Sequence, residues 1–365
     1  MSLTISTKEL QNMVRKASSC VSNNKLIPLT GLMNVKVKDN VFTLTTTDAT
    51  NYFYAKGAEK VNCEDFEISV IADLFTRLIQ KSTSEHTVLI VEGNTLKIDT
   101  NGTYVMELPL DENGAPIKFP NKLPDFMSEP KTIQWSTVKK VVNVNKASLS
   151  DTMDFPVLTC YYCADRVITS DRKKICRSEI KMFDNPMVIS AKLMDLLYTL
   201  DEENIEVSKA ENENVYVFST SHDTIYAPET EGIETFPVDA IETLVNQSFK
   251  SSCTVSLDAV TAMLDRLSLF IAPYDKHAVY LTFNQDGILF SSKKSSGQEL
   301  IPYVTSDNFE PYTCCIDIEM LKSQVETHDG EETLELYYGS EVAIKLANEN
   351  VTQIIALLED DRTEA

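Results

Sequence analysis

One pattern recurs six times in this chain: a short β-branched strand, a helix-capping serine or aspartate, then apolar residues at helical spacing. "TVSLDAVTAMLDRL" (254–267) is its clearest copy. Thr254 and Val255 end a strand, and Ser256 offers its hydroxyl to an orphan helical N–H. Val260, Met263, Leu264 and Leu267 then recur at helical intervals. "LTISTKELQNMVRKAS" repeats the pattern with Ser6 as the cap and Glu9 completing a capping box. "FEISVIADLFTRLIQKS", "TIQWSTVKKVVNVNKAS", "MVISAKLMDLLYTL" and "CCIDIEMLKSQVE" repeat it with Ser69, Ser136, Ser190 and Asp317. The caps fall roughly every 60 residues, the self-similarity of a repeated unit.

The segment after each helix repeats too. "LMNVKVKDNVFTLTTTDATNYFYAK" alternates and breaks at Lys38–Asn40. "TVLIVEGNTLKIDTNGTYVMEL" turns at Gly93-Asn94 and Asn101-Gly102, and "AVYLTFNQDGILFSSKK" at Asp286-Gly287. "TLELYYGSEVAIKLANENVTQIIALLE" closes the chain in the same way. Each unit therefore reads as strand, helix and about three antiparallel strands, with the helix covering one sheet face. Residues 110–130 and 227–252, rich in proline and acidic residues, read as linkers. They divide an α+β chain into three similar domains of two units each: 1–122, 131–240 and 251–365.

The six helical segments are 6–19, 69–82, 136–149, 190–200, 256–270 and 317–326. The first three carry 8 basic and 2 acidic residues, the last three 3 and 6, in a chain whose net charge is −22. On the first helix Leu10, Met13, Val14 and Ala17 form the core stripe, opposite Lys8, Gln11, Asn12, Arg15 and Ser19. On the second, Ile71, Leu74, Phe75 and Leu78 point inward, and Arg77, Gln80 and Lys81 outward. On the third, Val138, Val141 and Val142 point inward, and Lys139, Asn143 and Lys146 outward. A strongly acidic chain argues against nucleic acid as a partner, but its most basic helix faces argue the other way.

No apolar run approaches the ~20 residues of a membrane span, and "MSLTISTKEL" lacks the basic start and apolar stretch of a signal peptide. A cytoplasmic chain without membrane contact is expected. The eight cysteines show no regular spacing. The one CxxC, Cys160–Cys163, lies in a strand-like run where residues three apart face opposite ways, which suits neither a shared metal nor a redox pair. Phosphate-loop, dinucleotide and zinc-protease signatures are missing. No catalytic residue, cofactor or metal is expected.

The whole arrangement resembles the bacterial DNA polymerase III beta subunit, the sliding-clamp or processivity-factor family. The likeness is carried by "NNKLIPLTGLMNVKVKDNVFTLTTTDATNYF", "VITSDRKKICR" and "SLDAVTAMLDRLSLFIAPYDKHAVYLTFNQDGILFSS". It implies the DNA clamp fold, with sheets outside and helices inside, in a head-to-tail homodimeric ring around double-stranded DNA. Contacts would ignore base sequence. Six helices, each ~10 Å across, leave a bore of only ~9 Å, whereas twelve leave ~28 Å, so two copies are needed to surround a duplex. Candidate DNA contacts are Lys8, Arg15, Lys16, Lys25, Arg77, Lys81, Lys139, Lys140, Lys146, Lys192, Arg266 and Lys322. The resemblance further implies a cleft that takes short peptide motifs of the replicative polymerase and clamp loader. Carried over by position, its wall includes Ser170, Arg172, Lys173, Ile175, Pro237, Ile241, Ile354, Ile355, Leu357 and Leu358. Two features depart from the family: Arg172 stands where glycine usually follows the Thr-Asp pair, and "EDDRTEA" extends the C-terminus. The alternatives are a protein-interaction scaffold that never meets DNA, or an enzyme on the same duplicated frame.

Overall fold

A computed structural model of the chain describes residues 1–124, 126–210, 213–271, 277–293, 296–328 and 330–360. The expected pattern is realised as six strand–helix–three-strand repeats. The first is β1 (Ser2–Ser6), α1 (Thr7–Ser18), β2 (Leu32–Lys38), β3 (Val41–Thr47) and β4 (Tyr52–Lys56). The second is β5 (Phe66–Ile71), α2 (Ala72–Gln80), β6 (His86–Glu92), β7 (Thr95–Asp99) and β8 (Thr103–Glu107). The third is β9 (Lys131–Gln134), α3 (Trp135–Asn145), β10 (Cys160–Cys163), β11 (Val167–Ser170) and β12 (Lys174–Ser178). The fourth is β13 (Met187–Ser190), α4 (Ala191–Thr199), β14 (Asn204–Lys209), β15 (Val215–Ser219) and β16 (Asp223–Pro228). A further helix, α5 (Val238–Val245), precedes the fifth: β17 (Ser251–Ser256), α6 (Leu257–Ser268), β18 (Ala278–Phe283), β19 (Gly287–Ser292) and β20 (Gln298–Asp307). The sixth is β21 (Tyr312–Asp317), α7 (Ile318–Val325), β22 (Thr333–Tyr338), β23 (Ala343–Ala347) and β24 (Val351–Ala356).

The sheet order shows how the repeats depend on one another. Each repeat gives its first strand to its neighbour's sheet. Hence β1-β6-β7-β8 runs beside β5-β2-β3-β4 in the first two repeats, and β13-β10-β11-β12 and β9-β14-β15-β16 share the same exchange in the next two. In the last two, β21-β18-β19-β20 and β17-β22-β23-β24 are joined through β17 and β20. The exchange explains why a repeat of about 60 residues recurs in pairs: alone, each lacks one strand of its own sheet.

Two compact units emerge. One comprises Met1–Val138 and Lys192–Glu229, and holds the four-stranded sheet and an eight-stranded sheet, β5-β2-β3-β4-β16-β15-β14-β9. Within it α1 and α2 lie side by side: the Gln11 side-chain amide donates to the carbonyls of Ile79 (3.0 Å) and Ser82 (2.8 Å). Leu10, Met13, Val14 and Ala17 are all buried, as the helical spacing predicts, each of the larger three contributing about 1.5–3 kcal/mol. The other unit comprises Lys139–Ala191 and the described residues from Thr230 onward, and is organised by the twelve-stranded sheet. Its main core joins Val260, Met263, Leu264 and Leu267 of α6 to Leu321 and Val325 of α7 and to the strands around them. Gly287 opens β19 where its backbone passes so close to β20 that a Cβ would lie 2.2 Å from the Ile301 carbonyl oxygen.

Local details correct the sequence reading. Ser256 and Asp317 cap α6 and α7, accepting bonds from Ala259 N and from Glu319 and Met320 N. Ser6 precedes α1 without a side-chain cap bond, and Glu9 binds the amide of Ala58 at 2.8 Å instead of closing a capping box. Ser69 lies within β5, where its hydroxyl donates to Ile117 O; α2 starts later, after Ile71. Consequently Ala72, Phe75 and Ile79 form the buried stripe of α2, while Ile71 and Leu74 are exposed. Helix α3 starts at Trp135, so Ser136 is inside the helix. The stretch 227–252 is not a plain linker, because it contains α5; 110–130 does lack helix and strand among its described residues.

A second repeated device lies at the hairpins. Asp48, Asp171 and Asn348 each accept, through Oδ1, from the backbone N–H groups two and three residues on, at 2.6–2.9 Å. These Asx turns reverse the chain between β3 and β4, β11 and β12, and β23 and β24. The residue after the aspartate is left-handed in two of them, Ala49 (φ 85°) and Arg172 (φ 76°). A side chain there costs about 1–2 kcal/mol relative to the right-handed region, a cost that glycine would not carry.

Candidate functional site

The basic helix faces are the first candidate. Lys8, Arg15, Lys25, Arg77, Lys81, Lys139, Lys140, Lys146, Lys192 and Arg266 are exposed, and Lys322 is half-buried. Several are already engaged. Arg15 Nη2 lies 2.8 Å from Asp201, Arg77 2.8 Å from Asp73 one turn earlier, and Lys322 2.7 Å from Asp265. Arg266 Nε donates to Glu299 at 3.1 Å, and Lys192 to the Ser19 carbonyl at 2.6 Å. Lys8, Lys81 and Lys140 have no ion pair among the described residues.

Lys16 has to be taken off the list of surface cations. It is 4% exposed and holds Asp223, itself 3% exposed, at 2.7 Å. Its two other bonds go to Asp201 (2.7 Å) and the Leu200 carbonyl (3.0 Å), which uses all three ammonium protons. Burial pushes the Lys16 pKa down, but the bonds to Asp201 and Asp223 outweigh it and the net direction is upward. Burial pushes the Asp223 carboxyl up, against the pull of Lys16. Lys16 sits at the edge of the stripe made by Met13, Val14 and Ala17, a border position that helical spacing alone leaves open; its partners, 184 and more residues away, carry no local signal.

The peptide-cleft residues divide between three clusters. Ile175, Ile241 and Ile354 come together, with Leu158, Phe236 and Val245, in a small apolar cluster of their own. Here α5 supplies Ile241 and Val245, and the antiparallel pair of β12 and β24 places Ile175 opposite Ile354. Ile355 is corrected: successive strand residues face opposite sides, so it enters the main core with α6 and α7. Leu357 also packs against that main core, and Leu358 against Ala278, Tyr280 and Cys315. Ser170 is buried and accepts from the Arg172 amide at 3.1 Å. Pro237, Arg172 and Lys173 are exposed. The extension after Asp360 lies outside the described residues.

Sequence reasoning missed Phe155, whose exposed ring carries the Arg172 guanidinium 4.4 Å above its centroid. It also missed two apolar edges. On β8, at the end of the four-stranded sheet, Tyr104 and Val105 are exposed; the run "YVM" breaks strand alternation and was the available signal. At the end of α6, Leu269 is 81% and Phe270 57% exposed. Phe270 lies beside Gly297, just before β20, where Gln298–Pro302 pair only with β19 among the strand ladders of the described residues. No group of three or more metal-type ligands occurs among the described residues, and no described helix is long and apolar enough to cross a membrane. Cys160 and Cys163 are both buried, and burial pushes both thiols up.

No family model matches the sequence, and no curated protein does. Solved structures do match. The DNA polymerase III beta chain of Streptococcus pneumoniae superposes with a TM-score of 0.84 at 14% identity, over 98% of this chain and 100% of that one. The beta subunit of Thermotoga maritima gives 0.84 at 16%, over 98% and 99%. The DNA polymerase sliding clamp of Bacillus subtilis gives 0.82 at 16%, over 99% of both chains. Likeness at such low identity is a likeness of fold, and over nearly its whole length this chain has the fold of the DNA polymerase III beta subunit, the sliding clamp.

Proposed function

We propose that this chain is a DNA sliding clamp: a non-enzymatic, cytoplasmic processivity subunit that encircles duplex DNA and tethers a replicative polymerase. The observation that carries the reading is the six-repeat fold, matched over 98% of the chain to clamps. The three pairs of strand-exchanging repeats support domains at 1–122, 131–240 and 251–365. Two copies supply the twelve helices that a bore wide enough for DNA requires.

In this reading the copies join head to tail through the two apolar edges, β8 with Tyr104 and Val105 against β20 with Leu269, Phe270 and Leu300. Pairing would satisfy two open strand edges and bury the exposed side chains. The outward cations of the helices attract phosphates without reading bases, and the acidic remainder of the chain disfavours DNA elsewhere. Polymerase and clamp-loader peptides dock over the cluster of Ile175, Ile241 and Ile354, where buried apolar anchors carry most of the affinity.

The test is retention on DNA. Sealed circular duplex should hold the protein once a loader has opened the ring, and linearising the circle should release it. Equal retention on both forms, or a monomeric mass at micromolar concentration, rejects the ring. Val105→Asp should convert the dimer to monomer and abolish the difference between circle and linear DNA.

A further inference from the structure

Among the described residues outside the helix faces, three of the places that concentrate charge are the Lys16–Asp223 core, the acidic groove beside Glu331, and the β11–β12 hairpin tip. The first is internally satisfied, and the second is acidic residues alone. The third sets two exposed cations beside an apolar cluster.

Resting on the peptide-cleft reading, we propose that the cleft selects a peptide whose apolar anchors are flanked by carboxylates, with Arg172 and Lys173 as the residues that read them. The two cations stand next to each other at the tip of the β11–β12 hairpin, and neither has an ion pair among the described residues. Their neighbours on the same sheet do: Arg166 and Arg177 converge on Glu242 at 3.0 and 2.9 Å, and Lys174 reaches Asp171. In a chain of net charge −22, a pair of adjacent unneutralised cations is a local exception.

Their position ties them to the apolar cluster. Lys173 O accepts from Ala356 N, two residues beyond Ile354, and Ile175 follows two positions after Lys173. Arg172 is held over the Phe155 ring, which is 46% exposed. Phe155 immediately precedes the short helical turn Pro156–Thr159, whose Leu158 belongs to the cluster. The ring offers no acceptor oxygen, and the Arg172 side chain makes no hydrogen bond among the described residues, so its N–H donors are left for a planar carboxylate. An acidic segment is repelled by most of this protein and attracted here, so charge complementarity adds selection to the anchors' affinity.

The test uses the full-length protein and two fluorescent peptides that share a Leu-Phe core: one flanked by Asp and Glu, the other by Asn and Gln. At low salt the acidic peptide should bind about fivefold tighter, and the gap should narrow as salt rises. Arg172→Gly with Lys173→Ala should erase the preference, so that the variant binds the two peptides equally, since glycine suits the left-handed position and keeps the turn. Equal binding of both peptides to the unaltered protein overturns the charge selection and leaves the cleft standing. Binding of neither overturns the cleft and this inference with it. If the double variant instead loses affinity for a linear DNA duplex, the two cations are phosphate contacts and the inference is wrong.

Discussion

The helices of the first three repeats and those of the last three sit on the same frame yet offer different chemistry. In the helical segments 6–19, 69–82 and 136–149 basic residues outnumber acidic ones 8 to 2, and Lys8, Lys81 and Lys140 point to solvent with no ion pair among the described residues. In the segments 190–200, 256–270 and 317–326 the ratio is 3 to 6, and all three cations are engaged: Lys192 by a carbonyl, Arg266 by Glu299, Lys322 by Asp265. Counting charges along the chain gives the first contrast but not the second. The strand-exchanging frame fixes where helices lie; the outer residues are free to diverge, and in the later repeats each cation meets a protein acceptor, for Lys192 one in the first repeat. The attraction for phosphate is therefore expected to reside chiefly in the N-terminal repeats.

The largest effect should come from the interior of that half. Lys16→Met strips the buried Asp223 of its partner, and breaking such a pair costs about 3–5 kcal/mol, read as a lower urea midpoint at neutral pH. The half-exposed Lys322–Asp265 pair should cost under ~1 kcal/mol when Lys322 becomes Met. Equal losses would erase this difference between the halves. The pH dependence has a definite sign. Because the folded-state pKa of Lys16 is raised, its stabilisation is fully present below the unfolded value of about 10.4 and is lost as pH rises through the folded one. The gap between the wild type and Lys16→Met should close only in strongly alkaline solution.

The next effect is on DNA. Replacing Lys8, Lys81 and Lys140 with Ala should weaken binding of a linear duplex by about tenfold or more at low salt. It should also flatten the salt dependence by roughly 0.9 logarithmic units for each phosphate no longer neutralised. The change should be the same for any base sequence. Full affinity in the triple variant would move the phosphate contacts elsewhere.

Much of this was legible from residues alone, for a physical reason. The six repeats and the buried faces of α1, α3 and α6 follow from periodicity, a local property. Ser256 and Asp317 likewise act through N–H groups two or three residues away. What failed depends on distant partners. Ser69 looked like a cap but serves the Ile117 carbonyl, 48 residues on. Lys16 looked like a surface cation but is matched by Asp201 and Asp223. In the candidate cleft, Ile354 and Ile355 both read as apolar wall; only the register of β12 against β24 decides that Ile354 faces α5 and Ile355 the main core. The Phe155–Arg172 stack needed the turn at Asp171 to bring the two side chains together.

The smallest effect is the sharpest test of the contrast, because it separates charge from availability. Removing Arg266 alone deletes a cation and also bares Glu299, so the local field becomes more negative and DNA binding should weaken even if Arg266 never touches a phosphate. A single variant therefore cannot tell the halves apart. Removing both members, Arg266→Ala with Glu299→Ala, leaves the net charge unchanged. If the guanidinium is held by Glu299, the pair acts as a neutral unit and the double variant should bind the duplex within about twofold of wild type, with an unchanged urea midpoint for so exposed a pair. If Arg266 leaves Glu299 to meet a phosphate when DNA is present, the double variant should instead neutralise one phosphate fewer, and its salt dependence should flatten by roughly 0.9 units. That result would make the ion pairs of the later helices a reserve of phosphate-binding groups, and the two halves of the chain would differ in when their cations become available rather than in whether they do.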